Sequence, residues 1–345
     1  MAWLIGWQYR RKITIDGSKI EGNLTNFPIA VILNSTRFSF SKARSDGYDI
    51  RFADEAGNLL KYERERHDAT NQVAEYHVKI PSLTAGQNYE FYIYYGNPDA
   101  SDGADPTNVW DSNFRAVWHL KDYTSNSVKD STSNGLIGNK VNNNEPLEVD
   151  GKIGKAQSFD GTNDYIEVAR SSVTEPTTAI TVEAWVFNPT NQKRSVVHHW
   201  YGYTLEFFHL GGSSLHEAGF VIYTTSGSKH LNSTVEPQFN QWLYLVGTYD
   251  SSTGQMRLYE NATLTAQYTH SGTLVYSNRP LRFGCRSDSF EYFYGKIDEI
   301  RISDVARSAA WIKASYHSGN DTLLSFGPEE TFTPLSSRRL LLANW

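Results

Sequence analysis

One cysteine, Cys285, stands among 345 residues, so the chain forms no internal disulfide and no cysteine-based zinc site. A lone thiol in such a chain reads as a small buried hydrophobe. Methionine occurs twice and proline 11 times, which excludes a Met-rich binding surface and a Pro-rich stalk. No apolar run approaches the roughly 18 residues of a membrane helix, so no membrane insertion is expected. Basic clusters are equally scarce. The largest are Arg10-Arg11-Lys12 and Arg338-Arg339, and 32 basic against 38 acidic residues leave a net charge of -6. No nucleic-acid surface that tracks phosphates is expected from that balance. A secretory leader is also not recognisable. Met1–Gln8 is too short, lacks a basic start and runs straight into a strand pattern, so the protein is expected to be made without one.

What is present is aromatic. Phe, Trp and Tyr make up 14% of the chain while all hydrophobics reach only 39%. Large rings bury much area each and suit sheets better than helices. Tyr9–Ile15 alternates, Phe27–Leu33 is a mostly apolar run, and Asp49–Ala53 and Leu59–Arg66 flank a turn-rich stretch that predicts a hairpin. Ala74–Ile80 reads as a strand ended by Pro81, and Tyr89–Tyr95, apolar on both faces except Glu90, as a central strand. Strands at this spacing predict a β-sandwich. Short strands resume near Ala116 and continue to Ile302, with a polar loop over Ser125–Asn144. The single good helix signal is Ser308–His317, with Ser308 as N-cap and Ala309, Ile312 and Tyr316 on one face. The fold class is therefore all-β. The divisions predicted are an N-terminal sandwich over 1–100, a linker over 101–113, a second β domain over 114–328 and an apolar tail over 329–345. Such a tail is expected to dock on another subunit or on its own fold, and oligomerisation is expected from it.

Several side chains invite chemistry. On the strand Ile297–Ile302, simple alternation puts Asp298 with Ile300 and Ile302, and Glu299 and Arg301 with Ile297. A carboxylate on an apolar face must be paired, protonated or metal-bound. Asp160 and Asn163, in the turn Asp160-Gly161-Thr162-Asn163-Asp164, supply hard oxygens in a short span. A glycosidase needs two carboxylates about 5–10 Å apart in a cleft. Glu183 stands alone and reads as a paired structural carboxylate, while Asp298 and Glu299 are adjacent and so predicted to face opposite ways. No enzyme is expected. His198 and His199 should likewise diverge and cannot easily chelate one ion. Trp200, Tyr201 and Tyr203, together with Tyr292, are candidates for stacking on sugar faces, although core packing is the commoner fate of such rings.

Two stretches carry a resemblance. Trp7–Ile15, Asn26-Phe27-Pro28-Ile29, Asp49-Ile50-Arg51-Phe52, Tyr92–Pro98 and Val109-Trp110-Asp111 resemble a prokaryotic and viral domain family of unassigned function, often found ahead of a laminin-G-like jelly roll. Val117–Leu120, Phe159–Ile166, Val182–Val186, Gly247–Asp250 and Gly295–Ile302 resemble that jelly roll, the concanavalin A-like (LamG-like) fold. The resemblance implies two curved antiparallel sheets, frequent glycan binding and often a structural Ca2+, for which Asp160, Asn163 and Asp298 are the candidate ligands. Two extracellular-type sandwiches without an export signal lead to an expected virion protein of a tailed phage or archaeal virus. It would be a capsid decoration, a fibre component or a tail-associated adhesin. Its partners would be other virion proteins and host surface glycans, in a homo-oligomer. The alternative is a secreted, cell-surface polysaccharide-binding module, and a glycoside hydrolase ranks below both.

Overall fold

The computed structural model describes residues 3–122, 125–141, 145–189, 194–209, 216–235 and 238–333. Its first module is a sandwich of a five-stranded and a three-stranded antiparallel sheet. The strand Tyr89–Tyr95 lies inside the larger sheet, between Tyr9–Ile15 and Arg51–Asp54. Both its faces are indeed covered. Phe91, Ile93 and Tyr95 enter the core, while Tyr92 and Tyr94 pack under Trp3, Leu4 and Trp7. The hairpin expected after Asp49 forms, with Phe52 paired to Leu60. One boundary differs from the sequence reading, because the strand ending at Ile80 continues through Pro81 to Leu83. Thr25 pairs with Ser82 and Phe27 with Ile80, and the rung between them, at Asn26 and Pro81, is missing. Asn26 adopts a left-handed φ of 53°, so the imide nitrogen has no ladder bond to break.

The second module consists of two eight-stranded antiparallel sheets packed face to face. Tyr203, Leu205 and Phe207 from one sheet meet Val182, Ala184 and Val186 from the other in a single apolar core. This is the jelly roll that the resemblance implies. The stretch read as a polar loop contributes two short strands, Ser127–Val128 and Gly138–Lys140, to one sheet edge.

The modules share structure. Val109 and Trp110, from the segment 101–113, are buried in the first core, and Asp102 and Asp105 pair with Arg64 and Lys61. The helix α1 (Ala309–Gly319) begins where expected, with the Ser308 hydroxyl accepting from the Trp311 N–H at 3.2 Å. Trp311 and Ala314 fill the first core, while Ile312 and Tyr316 pack on Trp185 and Tyr244 of the jelly roll. The chain then returns to the first sheet, where Leu324–Thr331 pairs antiparallel with Tyr9–Ile15. The Phe332 N–H donates to the Gln8 carbonyl at 2.8 Å. The start of the C-terminal tail is thus docked on its own fold. Residues 334–345, including the apolar Leu340–Leu342, lie outside the described residues.

Candidate functional site

The strand Tyr294–Ser303 corrects one sequence expectation. Ile297, Ile300 and Ile302 all enter the jelly-roll core, which simple alternation forbids. Glu183 pairs with Arg301 and Trp185 with Asp298, so Glu299 and Ile300 together oppose Ala184. Glu299 takes a left-handed φ of 51°. The extra residue forms a bulge that resets the alternation. Asp298, Glu299 and Arg301 are consequently turned away from the apolar face, and Asp298 does not share it with Ile300 and Ile302.

The bulge places Glu299 in a buried polar cluster where the two modules meet. Glu63 and Glu65 come from the strand Tyr62–Asp68 and His77 from Val73–Leu83. His119 follows the strand Phe114–Trp118. His119 Nδ1 lies 2.5 Å from Glu299 Oε1, and its Nε2 lies 3.3 Å from Glu63 Oε2. A carboxylate stands at each ring nitrogen of His119, an arrangement that favours the protonated ring. Burial alone would lower its pKa, but Glu299 and Glu63 override burial and hold it well above the ordinary value. Burial would raise Glu299, yet His119 and Arg301 hold it well below the carboxylate range. The His77 ring stacks on His119 at 4.4 Å, with Nε2 3.2 Å from Glu65 Oε2. Trp110 Nε1 donates to Glu63 Oε2 at 2.9 Å and Ser131 Oγ to Glu63 Oε1 at 2.5 Å. Arg301 Nη2 donates to Glu299 Oε2 at 2.5 Å. A cleft of about 350 Å³, lined in part by Glu63, Glu65, His119 and Lys121, opens beside the cluster. Glu63, Glu65, His77 and His119 were not singled out in the sequence, because each lone histidine sits in an ordinary strand context. The charged run Glu63–Arg66, within a strand, was the one available signal.

The candidate calcium ligands are not assembled. Asp160 stands opposite Tyr294, and Asp298 is four residues further along that strand, about 13 Å at ordinary strand rise. Asp160 Oδ1 instead accepts the Thr162 N–H at 2.7 Å and the Asn163 N–H at 3.3 Å, closing its turn. Asp298 Oδ2 accepts the Lys152 and Ile153 N–H groups at 2.7 and 3.0 Å. Burial first, then Glu299 and Glu65, push its carboxyl well above the usual range. These three residues do not fit one calcium site. Glu183 is buried and accepts from the Tyr244 hydroxyl, as a paired structural carboxylate does. Cys285 is buried too, and burial pushes its thiol up to about 11.

The candidate aromatics divide. Tyr203 is removed from the surface set: alternation along Tyr203–His209 turns its ring into the core, and its hydroxyl donates to the Thr174 carbonyl at 3.1 Å. Trp200 and Tyr201 lie in the turn before it. Tyr201 is 51% exposed and meets Trp200 and Tyr223 edge-on, at 5.5 and 5.0 Å. The guanidinium groups of Arg279 and Arg286 lie 5.3 and 5.8 Å from the half-buried Trp200 ring. Arg286 belongs to a loop that lies over the outer face of this sheet, where Ser287 Oγ is 3.0 Å from His198 Nδ1. Asp288 and Glu291 brace Arg286 at 2.6 and 2.9 Å, and Phe290 from the same loop is 63% exposed. Tyr292 lies on the other flank of the loop, half-buried, 6.4 Å from Tyr165. Trp200, Tyr201 and Tyr223 thus form one surface, and Tyr292 belongs to a second patch beside it. Tyr223, Arg279 and Phe290 were not singled out in the sequence, since only the folded loop brings them together.

Comparison with known proteins agrees with this architecture. Residues 160–313 match the concanavalin A-like lectin/glucanases superfamily (Laminin_G_3), and residues 46–135 match a domain of unknown function (DUF2341). No curated protein matches the chain. Similar solved structures include the binding domain of paraclostridial mosquitocidal protein 1, at 15% identity and TM-score 0.48, covering 60% of this chain and 52% of that one. This chain therefore spans about half the length of that structure. Domain 4 of AbnA, an extracellular GH43 arabinanase from Geobacillus stearothermophilus, in complex with arabinotriose, shares 20% identity at TM-score 0.44 and covers 61% and 98%. The binding domain of botulinum neurotoxin DC in complex with SialylT shares 11% identity at TM-score 0.46 and covers 60% and 52%. The chain thus carries a DUF2341 domain followed by a concanavalin A-like domain of laminin G type, in the order read from the sequence.

Proposed function

From a chain whose second module is a concanavalin A-like jelly roll, we propose a non-enzymatic carbohydrate-binding function, with Trp200, Tyr201 and Tyr223 as the sugar-contacting face. The observation that carries this reading is the exposed Tyr201 beside Trp200, with Arg279 and Arg286 over the Trp200 ring. A few aromatic faces with convergent polar donors suit a ligand that is apolar on its C–H faces and polar at its rim. Two of the nearby carboxylates support binding over hydrolysis. Asp288 and Glu291 are both engaged with Arg286, so neither is placed as the acid or base of a glycosidase pair.

The placement we propose follows the sequence reading. The protein is a virion component whose first module and C-terminal segment face other virion proteins while the jelly roll meets host glycans. Mass spectrometry of purified particles checks the placement, and recovery from the cell wall fraction alone points to the polysaccharide-binding alternative. For the binding face, Tyr201→Ala is expected to weaken a bound oligosaccharide at least about tenfold, equivalent to ~1.4 kcal/mol. Calorimetric titration measures it, and an unchanged affinity would remove this surface from the account.

A further inference from the structure

We propose that Glu65, His77, His119 and Glu299 form a site for a zinc-type divalent cation that staples the two modules together. One nitrogen or oxygen donor from each of these buried residues lies within 4.8 Å of the other three. A tetrahedral site with bonds near 2.0–2.1 Å sets its donors about 3.3 Å apart. His77 Nε2 already stands 3.2 Å from Glu65 Oε2 and 3.8 Å from Glu299 Oε1. The His119–Glu299 edge, at 2.5 Å, has to open for a metal to enter. Two imidazoles and two carboxylates form a borderline donor set that suits zinc better than calcium, which takes oxygen ligands in larger number.

The surroundings are those of a built site. Metal-bound imidazoles usually place the second ring nitrogen on a carboxylate. His119 does so with Glu63, which Trp110 and Ser131 hold in turn. Arg301 fixes the second oxygen of Glu299, and Glu65 Oε1, on the Gly154 side of its carboxylate, has no hydrogen-bond partner among the described residues. Charge points the same way. With neutral imidazole ligands, Glu63, Glu65 and Glu299 outnumber the Arg301 guanidinium within the cluster, while Lys121 and Arg66 face Glu65 from its edge, so the buried donors carry a negative excess that suits a cation. Arg301 also faces Glu183, which adds to the negative excess. The backbone is strained at the right place, because Glu299 and Leu120, next to His119, are both non-glycine residues in the left-handed region at φ 51° and 55°. Strain of this kind persists where the surroundings over-determine it and gathers at functional sites. Four protein ligands leave no open position, so the metal is structural. Glu65 and His77 come from the first module and Glu299 from the jelly roll, with His119 between them.

Metal analysis of the full chain, stripped with a chelator and reloaded, tests this. One zinc per chain is expected, with a melting temperature raised by about 3 °C or more. Cobalt in place of zinc should give the intense visible absorption of a tetrahedral site. Glu65→Gln and His77→Gln should each abolish both signals, whereas Asp160→Asn should keep them. Because the wild-type cobalt spectrum needs no variant to fold, it stands as an independent readout. A colourless cobalt protein without bound metal would overturn the proposal, as would an absorption that survives His77→Gln.

Discussion

His198 shows how a single burial decides a pH response. Burial first, then Arg286 and His199, lower its pKa to about 3, against about 6.5 for an unfolded chain. Between those values the unfolded state binds the extra proton. The stabilising contribution is therefore complete above about pH 6.5 and declines as pH falls towards 3. Moving from pH 7 to 4.5 should cost the wild type about 2 kcal/mol more than His198→Gln. Denaturant melts at the two pH values read the difference, and equal losses in both proteins would contradict it. Other residues were less legible in the sequence. A carboxylate at position 298 was visibly out of place on an apolar strand, and the structure does bury it. The left-handed turn at Glu299 was not legible, since glutamate carries no mark of positive φ as glycine would. That one dihedral redirects Asp298, Glu299 and Arg301 together.

Strands were the most legible elements, because a period of two survives even where Trp and Tyr replace aliphatics. Boundaries were less so, as Pro81 shows: its missing donor coincides with a missing rung, and the strand continues. Helix α1 is an element whose start the sequence revealed and whose role it did not. Ser308 and the spacing of Ile312 and Tyr316 predicted one apolar face. The structure uses two, because Trp311 turns into the first module. The Trp311 ring packs 5.0 Å from Phe27 and lies 4.0 Å from the Arg307 guanidinium. Trp311→Ala should destabilise by about 3–5 kcal/mol, in the usual range for a large buried ring. Urea unfolding followed by circular dichroism measures this, and a loss below about 1 kcal/mol would remove the helix as a rivet between the modules.

At the scale of the whole molecule, contacts distant in sequence dominate. The strand Leu324–Thr331 returns beside Tyr9–Ile15, and the buried cluster draws residues from positions 63 to 301. Such neighbours leave no local pattern, which is why the junction was not legible while both sandwiches were. Shared elements predict that the modules unfold together. Calorimetry should show one transition, with calorimetric and van't Hoff enthalpies equal, and two resolved transitions would contradict it.

The jelly roll's aromatic face is the centre of the functional account, and a glycan array probed with the full chain tests it most directly. A restricted set of bound oligosaccharides is expected, with a signal that disappears when Trp200 and Tyr201 are both replaced by alanine and folding is retained. Binding unaltered by that replacement, or no binding to any glycan, would contradict it.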